Sequence, residues 1–585
     1  MKILVLQTAR MGDMLQTAPL LLALRQHYPH AQIVVLARPM GKTVAEHMPP
    51  VDEVIVYDDN NIYLDLLSGD SGRFLNAYKC ISALIEQLRS YRFDLVVNVS
   101  HSIVSAVLVH LLDAPVVWGA DLSDDWTFVL RGAWTTYFFT SVFTRDYNDL
   151  NLCDITAHFI PDVPPVCRLS FVCTEEEKAF AQAFWSEHAI TPEERVIAVQ
   201  LGASEDTKRW APERYAATLK LLAQKQAVRV LLVGVQEEAP LGRAFLSYFS
   251  DKVISLYGET TVGQLAALLS RADLLLTNDT GTMHLAAAVG CPVVLVSVGS
   301  VHYRETGPYG VGHYAVEARR EHVGAAVDEV RLTEEIEKIR PEHVCAVVES
   351  LWAEKRGTPF LQWLDNEHLS TVEIYRSAFA PDGFLAFYPV VRRILTEKDF
   401  IRLTYRAMWV NDLMGEAYAA RCEESLRLFL QHYDVPMYRP LAEWHLHFAD
   451  VFTELAKIAE EGEKTAQSVV KTLQGTPNYR EAQRYVYHLK RIDEQIRLHG
   501  DLYPYCRPLT LLARFERDNL EGRDPLILAL RTEAIYRDVR RRARSVIGWM
   551  NRLVEIAETM RTPAAGVQNA AAQSEEGHSI QSGSN

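Results

Sequence analysis

Residues 277–292 have the sequence Thr277-Asn-Asp-Thr-Gly-Thr-Met-His-Leu-Ala-Ala-Ala-Val-Gly-Cys-Pro292. Apolar runs flank this stretch at 272–277 and 293–297, and its alanine-rich centre has the composition of a helix. The pattern predicts a strand, a helix and a second strand, which is the repeating unit of a doubly wound α/β sheet. Ligands of such sheets bind where strands end and helices begin. The residues expected at that edge are Asp279, Thr280, Gly281 and His284.

The same turn offers the chemistry that a phosphate group requires. N–H groups in the first turn of a helix have no partner within the helix, and the helix dipole favours negative charge there. We therefore predict that Thr280 and Gly281 hold phosphate oxygens. Asp279 would repel phosphate, so we expect it to bind sugar hydroxyls or to organise the loop. His284 either reaches phosphate or sugar, or is a structural residue.

The first 36 residues repeat the pattern of strand, turn, helix and strand. Residues 2–7 and 31–36 are apolar, and Gly12 and Asp13 lie in the turn between them. At this position the Asp13 carboxylate would lie at the mouth of a cleft, where it could accept a proton from a substrate hydroxyl. The alternative is that Asp13 only caps the helix.

Both segments resemble glycosyltransferase family 9, the ADP-heptose heptosyltransferases. The family's donor loop is N-D-(T/S)-G-P-M-H-x-A-A-A, and Thr282 replaces its proline here. The family's opening, R-x-G-D-x-x-x-x-x-P-L-x-x-A-L-R-x-x-x-P, matches residues 10–29. The resemblance extends to about residue 355. It implies a GT-B fold, in which two Rossmann-like α/β domains face each other across a cleft, with Gly12 beside the donor and Asp13 as the catalytic base.

A third segment of the same resemblance is Leu201-Gly-Ala-Ser-Glu-Asp-Thr-Lys-Arg-Trp210, similar to the family's P-G-A-x-x-x-x-K-x-W. Lys208 is then positioned to stabilise a leaving diphosphate by charge and hydrogen bonding. The hydroxyls of Ser204 and Thr207 could add contacts. The alternative is that Lys208 lies in a solvated loop, and Trp210 is expected to be a packing residue.

A carboxylate for the nucleoside is predicted at the end of another apolar run, Val228–Gly234. Glu237 is the candidate to accept hydrogen bonds from the ribose diol, and the choice between Glu237 and Glu238 stays open. Because Lys208 and helix ends can neutralise the diphosphate, we expect neither a metal nor a cofactor. The resemblance implies direct displacement with inversion at the anomeric carbon.

Four regions are predicted along the chain: an acceptor-side α/β domain (1–165), a donor-binding α/β domain (166–355), a helical extension (356–562) and a disordered tail (563–585). The proline-rich residues 160–165 are the expected linker. The aromatic segment 126–143 is interpreted as buried packing, with a wall of the acceptor cleft or a membrane-facing patch as the alternative.

Net charge, the length of apolar runs and the distribution of cysteines limit which partners and which cellular location are expected. A net charge of −15 argues against broad nucleic-acid binding, and no run reaches the roughly 18 apolar residues of a membrane span. Scattered cysteines and a start unlike a signal peptide predict a cytoplasmic protein. Peripheral attachment to the inner membrane is left open, as is the oligomeric state.

The helical extension contains a basic cluster, which could rest on an anionic membrane or be a solvated face or an oligomer contact. Its residues are Arg537, Arg540, Arg541, Arg542 and Arg544.

Three hypotheses for the function of the protein remain. The leading one is transfer of a heptose from an ADP-sugar to a lipopolysaccharide-core or other envelope acceptor. The others are a protein heptosyltransferase, whose extension recruits a polypeptide, and a scaffold that binds a nucleotide sugar without turnover.

Overall fold

The first α/β domain is built on a six-stranded sheet, as seen in a computed structural model that describes residues 1–161, 166–319, 336–354, 368–435 and 438–561. The strand order is β3-β2-β1-β4-β5-β6, in which only β6 is antiparallel to its neighbour. The strands are β1 (Lys2–Gln7), β2 (Gln32–Ala37), β3 (Glu53–Val56), β4 (Leu95–Asn98), β5 (Val117–Leu122) and β6 (Phe128–Arg131). The central strands are buried on both faces, which explains their continuous apolar sequences.

Helices cover both faces of this sheet. They are Met11–Gln16, Ala18–His27, Pro39–Ala45, Asp59–Leu67, Ser71–Tyr91, Ile103–Leu112, Ala133–Phe143 and Leu152–Ala157. In the aromatic segment, Trp134, Tyr137 and Phe138 are buried, which confirms the packing interpretation for these residues. Trp126 and Phe143 are exposed exceptions.

The second α/β domain has an eight-stranded sheet of order β14-β13-β12-β11-β10-β7-β8-β9, in which β7 to β12 are parallel. Its strands are β7 (Arg195–Gln200), β8 (Val228–Val233), β9 (Val253–Ser255), β10 (Leu274–Thr277), β11 (Val293–Ser297), β12 (Tyr314–Ala318), β13 (Val372–Phe379) and β14 (Leu385–Pro389). Its helices are Glu175–Glu187, Pro212–Ala223, Ala239–Leu246, Val262–Leu269, Gly281–Ala288, Tyr303–Thr306 and Pro341–Glu354.

The prediction of an all-helical extension from residue 356 is wrong for residues 372–394. β13 and β14 form an antiparallel hairpin that extends the second sheet, and β15 (Arg393–Ile394) pairs with β16 (Tyr433–Asp434). The β-branched and aromatic residues of β13 favour a strand. The charged residues Glu373 and Arg376 interrupt this run of β-branched and aromatic residues. The sequence of β13 therefore looks like that of an exposed helix.

The remainder of the extension is helical, as predicted. Its long helices are Glu397–Met414, Ala419–Gln431, Tyr438–Leu473, Tyr479–Leu502, Arg507–Asp518 and Pro525–Arg561. The helix Arg507–Asp518 packs on Ala133–Phe143, so the extension contacts the first domain. Residues 162–165 of the expected linker, the expected boundary at 355 and the predicted tail lie outside the described residues. In the described ranges, no helix is long and apolar enough to cross a bilayer.

One buried arginine joins the extension to both α/β domains. Arg406, on the first long helix of the extension, donates to the Asp382 carboxylate at 2.9 Å and to the carbonyls of Phe384 and Leu385, all in the second domain. It also donates to the carboxylate and the carbonyl of Asp149 in the first domain, at 3.2 and 3.0 Å. All three guanidinium nitrogens are therefore hydrogen-bonded, as a buried charge requires.

The basic cluster at 537–544 is part of the packing between helices. Arg540 pairs with Glu463, Arg544 with Glu460, and both Arg541 and Arg542 with Asp412. The neighbouring Val546 and Met550 are fully buried. These contacts pair four of the five arginines within one chain, while Arg541 and Arg544 remain 51% and 60% exposed, so the interpretations of the cluster stay predictions.

Candidate active site

The site lies where the carboxyl ends of the two parallel sheets meet. Helix Met11–Gln16 follows β1, helix Gly281–Ala288 follows β10, and these two helices contact each other across the cleft. The strand-to-helix turns predicted from the sequence thus come together from different domains, although more than 260 residues separate them.

Two glycines allow this close approach. A β-carbon on Gly12 would lie 2.9 Å from Cδ2 of His284, and one on Gly281 would lie 2.6 Å from the terminal carbon of Met11. His284 is buried, and burial lowers its pKa to about 4, so the imidazole is neutral. Its Nδ1 has no hydrogen-bond partner within the described ranges. A neutral ring with an unused nitrogen is suited to a ligand contact.

Asp13 caps its own helix. Its Oδ2 accepts a hydrogen bond from the backbone N–H of Arg10 at 2.9 Å, and the side chain is half-buried. The cap uses one carboxylate oxygen and leaves Oδ1 able to accept another bond. The two interpretations of Asp13 are therefore compatible, because a residue that caps a helix can also be oriented by that cap.

Asp279 lies where the charges of both domains meet. Burial raises the pKa of Asp279 to about 6, against the opposing charge of Lys208. Asp13 raises this pKa further, whereas Arg10 and Arg145 lower it. Charges act strongly only over short distances in water and salt. The structure therefore brings Asp13 and Lys208 into the surroundings of Asp279, together with two arginines that the sequence analysis did not predict.

Lys208 belongs to the lysine loop, defined here as residues 201–210, which follows β7. It ends a short 3-10 turn, and its ammonium lies 3.3 Å from the Glu205 carboxylate. Thr207 is partly buried, and its carbonyl packs against Gly299 of the loop after β11. Ser204 is exposed. Lys208 and Thr207 are thus partly buried, whereas Ser204 is open to solvent.

Asn278 is a site residue that the sequence analysis missed. It is fully buried, and its Nδ2 donates to the carbonyls of Leu201 and Gly202 at 3.0 and 3.1 Å. Its Oδ1 accepts from the backbone N–H of Trp210 at 2.9 Å. One amide thus holds both ends of the lysine loop against the end of β10. The sequence feature that could have identified Asn278 is an amide side chain at the end of a predicted strand, next to Asp279.

Of the two glutamates considered for the ribose, Glu238 is nearer the cleft. Its carboxylate accepts from Nε2 of Gln200 at 2.9 Å and from the N–H of Val235 at 3.1 Å, and it contacts Gly202. Glu237 is exposed on the same 3-10 turn. The turn directs its last residue back over β7, so Glu238 is held by the second sheet, and the choice between the two glutamates for the ribose stays a prediction.

The start of helix Gly281–Ala288 carries no side-chain cap. Thr280 is its N-cap, but the threonine side chain makes no capping bond and lies 3.3 Å from the Thr277 hydroxyl. The first-turn N–H groups are thus not occupied by a side-chain cap. Within the described part of the chain, no group of three or more metal-binding side chains is clustered.

Two doubly wound domains that meet through these helix starts form a GT-B fold. Residues 81–334 match the model of glycosyltransferase family 9 (heptosyltransferase). The protein is a nucleotide-sugar glycosyltransferase with a long C-terminal extension.

Individual relatives match about half of the chain. Lipopolysaccharide heptosyltransferase 3 of Escherichia coli is 26% identical over 290 residues, covering 48% of this chain and 79% of that protein. Lipopolysaccharide heptosyltransferase 2 of Salmonella typhimurium is 26% identical over 306 residues, covering 50% and 82%. The solved structure of E. coli ADP-heptose LPS heptosyltransferase II has 21% identity and a TM-score of 0.45, covering 61% of this chain and 100% of that one.

Proposed function

We propose that the enzyme transfers a heptose from an ADP-sugar to a hydroxyl of a lipopolysaccharide-core or related envelope acceptor, with inversion and without a metal. The observation that carries the proposal is the assembly of Asp13, Lys208 and Asp279 around the contact between two helix starts. The names of the relatives, which are lipopolysaccharide heptosyltransferases, support this choice of donor and acceptor.

The donor's diphosphate is bound by charge and by backbone donors. Lys208 supplies the cation, and the N–H groups of Thr280 and Gly281 supply hydrogen bonds at a helix start. Thr207 adds a hydroxyl from the lysine loop, and Ser204 adds one from its rim. Glu238 accepts hydrogen bonds from the ribose, and Asp279 and His284 contact the sugar.

The reaction is a single displacement. Asp13 takes the proton of the acceptor hydroxyl through Oδ1, and the hydroxyl oxygen attacks the anomeric carbon from the side opposite the diphosphate. The bond between that carbon and the diphosphate oxygen breaks, and its electron pair leaves with ADP. Lys208 stabilises the charge that develops on the diphosphate, with Arg10 and Arg145 nearby, so a divalent cation is not required.

The protein-acceptor hypothesis differs only in what enters the acceptor side of the cleft. The scaffold hypothesis is disfavoured, because the family match and the complete set of Asp13, Lys208 and Asp279 belong to a transferase. We retain the cytoplasmic location, with a peripheral membrane contact, as part of the proposal.

The donor is tested by thermal stabilisation with ADP-, UDP-, GDP- and CMP-sugars in the presence of a chelator. A ligand at 100 times its dissociation constant stabilises the folded state by about 2.7 kcal/mol. We expect ADP-heptose to shift the melting temperature selectively. Stabilisation by a different nucleotide sugar, or a requirement for metal, would contradict the proposed donor chemistry.

The base is tested with Asp13→Asn. We expect transfer to fall by about 100-fold or more, the usual contribution of a general base, while ADP-heptose still stabilises the protein. The matched control is Asp206→Asn, which alters an exposed carboxylate of the lysine loop. Normal transfer by Asp13→Asn would remove Asp13 as the base.

A further inference from the structure

A short turn of the first domain is held in place by the helical extension. The 3-10 turn Arg145–Tyr147 contacts helix Glu397–Met414, the first helix of the extension. On that helix, Nζ of Lys398 lies 2.6 Å from the carboxylate of Asp146. The extension therefore binds the residue that directly follows Arg145 in the chain.

Two further cations of the same helix bind the residues just after the turn. Arg402 and Arg406 both pair with the Asp149 carboxylate, the second at 3.2 Å. Lys398, Arg402 and Arg406 are spaced by four residues, so they share one face of the helix. This face thus holds both ends of the segment 146–149, and the backbone that carries Arg145 is fixed by the extension.

The side chain of Arg145 reaches from the first domain to the second. Its Nε lies 3.3 Å from the carboxylate of Glu305, which is buried on the short helix Tyr303–Thr306. Burial raises the pKa of Glu305 to about 7, although Arg145 and Asn148 oppose this rise. Near neutral pH, the carboxylate therefore compensates the charge of Arg145 only in part.

Arg145 has donor groups to spare for a ligand. A guanidinium carries five N–H donors, and the contact with Glu305 uses its Nε. Within the part of the chain that the structure describes, Arg145 makes no other ion pair, and its side chain is 39% exposed. Its terminal nitrogens are thus able to bind an anion that enters from solvent.

The surroundings of Arg145 are those of the predicted donor site. The loop after β11 leads to the short helix that Arg145 contacts, and a β-carbon on Gly299 of this loop would collide with the carbonyl of Thr207, the neighbour of Lys208. Arg145 also lowers the pKa of Asp279, and such an effect weakens steeply with distance. The packing and the electrostatics therefore place Arg145 near both Lys208 and Asp279.

We propose that Arg145 binds the diphosphate of the donor from the side of the first domain, and that the extension positions Arg145 for this contact. A guanidinium matches phosphate oxygens with two parallel hydrogen bonds, whereas an ammonium acts as a point charge. The inference rests on the proposed function for a nucleotide-diphosphate sugar, but not for the identity of the base. Arg145 is then a binding residue and Lys398 is a positioning residue.

The contact is tested by titration calorimetry of ADP with the full chain and its variants. We expect Arg145→Gln to weaken ADP binding by about tenfold or more, because a hydrogen bond to a charged group is lost. Arg145→Lys should lose less, since it keeps the charge but not the planar fork. The matched control is Arg73→Gln, which alters another ion-paired arginine of the first domain and should bind ADP as the unaltered chain does.

The role of the extension is tested by a double-mutant cycle. Lys398→Met should weaken ADP binding by about threefold, the size of an exposed ion pair's contribution. If Lys398 acts through Arg145, the same substitution has no further effect in the Arg145→Gln background. Equal losses in both backgrounds would overturn the positioning role, because Lys398 would then act on ADP by its own charge. Lys457→Met, on another helix of the extension, is the control and should bind ADP normally.

The remaining outcomes separate this inference from the proposed function. Melting curves show whether each variant folds, and Arg145→Lys decides the question if Arg145→Gln does not. Unchanged ADP affinity in a folded Arg145 variant would overturn the contact and leave the proposed donor intact, even if the KM for the acceptor rises. Binding of UDP or GDP instead of ADP, weakened by Arg145→Gln, would support the contact and contradict the proposed donor. Binding of none of the three would overturn both.

Discussion

Asn278 carries no charge and touches no predicted substrate atom, yet it holds both ends of the lysine loop. Replacing it with alanine leaves buried backbone groups of Leu201, Gly202 and Trp210 without partners. We expect Asn278→Ala to lower the free energy of unfolding by about 2 kcal/mol and to reduce kcat, because Lys208 loses its fixed position. Urea titration and a transfer assay measure the two effects. A loss of stability with unchanged kcat would show that the loop keeps its position without Asn278.

Asp279 makes stability depend on pH in a direction opposite to that of a salt-bridged carboxylate. Its pKa is raised to about 6 in the folded protein, against about 4 in an unfolded chain. The folded state therefore binds the proton more tightly, and this contribution to stability is present below about pH 4 and is lost as pH rises through about 6. We expect Asp279→Asn to remove this decline. Urea midpoints for both proteins from pH 4 to pH 7 measure the difference, and identical pH profiles would contradict it.

At the scale of elements, the contact between two helix starts predicts unequal effects of two similar substitutions. A β-carbon at position 12 meets the buried ring of His284, whereas one at position 281 meets the end of flexible Met11. We expect Gly12→Ala to lower kcat/KM by about tenfold or more, because a displacement of a few tenths of an ångström misaligns the reacting groups. Gly281→Ala should have a smaller effect. Equal losses in both variants would show that the contact is less rigid than its geometry indicates.

The elements also show what could be predicted from the sequence. Strand ends followed by glycine-containing turns indicated that Asp13, Lys208 and Asp279 meet, because parallel strands place their carboxyl ends at one edge. The different surroundings of Glu237 and Glu238 depend on the direction of a single 3-10 turn, which local sequence does not specify. β13 was missed for two reasons. Its partner β12 lies more than 50 residues away, so the pairing that stabilises the strand cannot be seen in the local sequence. The charged residues of β13 also weaken the sequence pattern expected of a strand.

For the molecule as a whole, Arg406 is the most informative position. Arg406→Met would leave Asp382 and Asp149 with less compensation in the interior, and breaking a buried ion pair in this way costs about 3–5 kcal/mol. We expect a loss of that size in urea unfolding. Arg497→Met is the matched control, since its pair with Glu494 is exposed and screened by solvent, and we expect the urea midpoint to stay nearly unchanged. A loss of less than 1 kcal/mol for Arg406→Met would mean that the domains are joined by other contacts.

The position of Arg406 also bears on whether the chain can be shortened and on whether the two α/β domains can move apart. The family match ends at residue 334, yet the guanidinium that compensates carboxylates in both α/β domains comes from beyond that point. A shortened chain ending there would lose Asp382 together with Arg406, and the buried Asp149 carboxylate would lose this partner, so we expect it to be less stable than the full chain. For the same reason, rotation of one α/β domain away from the other would break these bonds. We therefore expect substrate entry and product release to depend on rearrangement of surface loops, not on opening of a hinge between the domains.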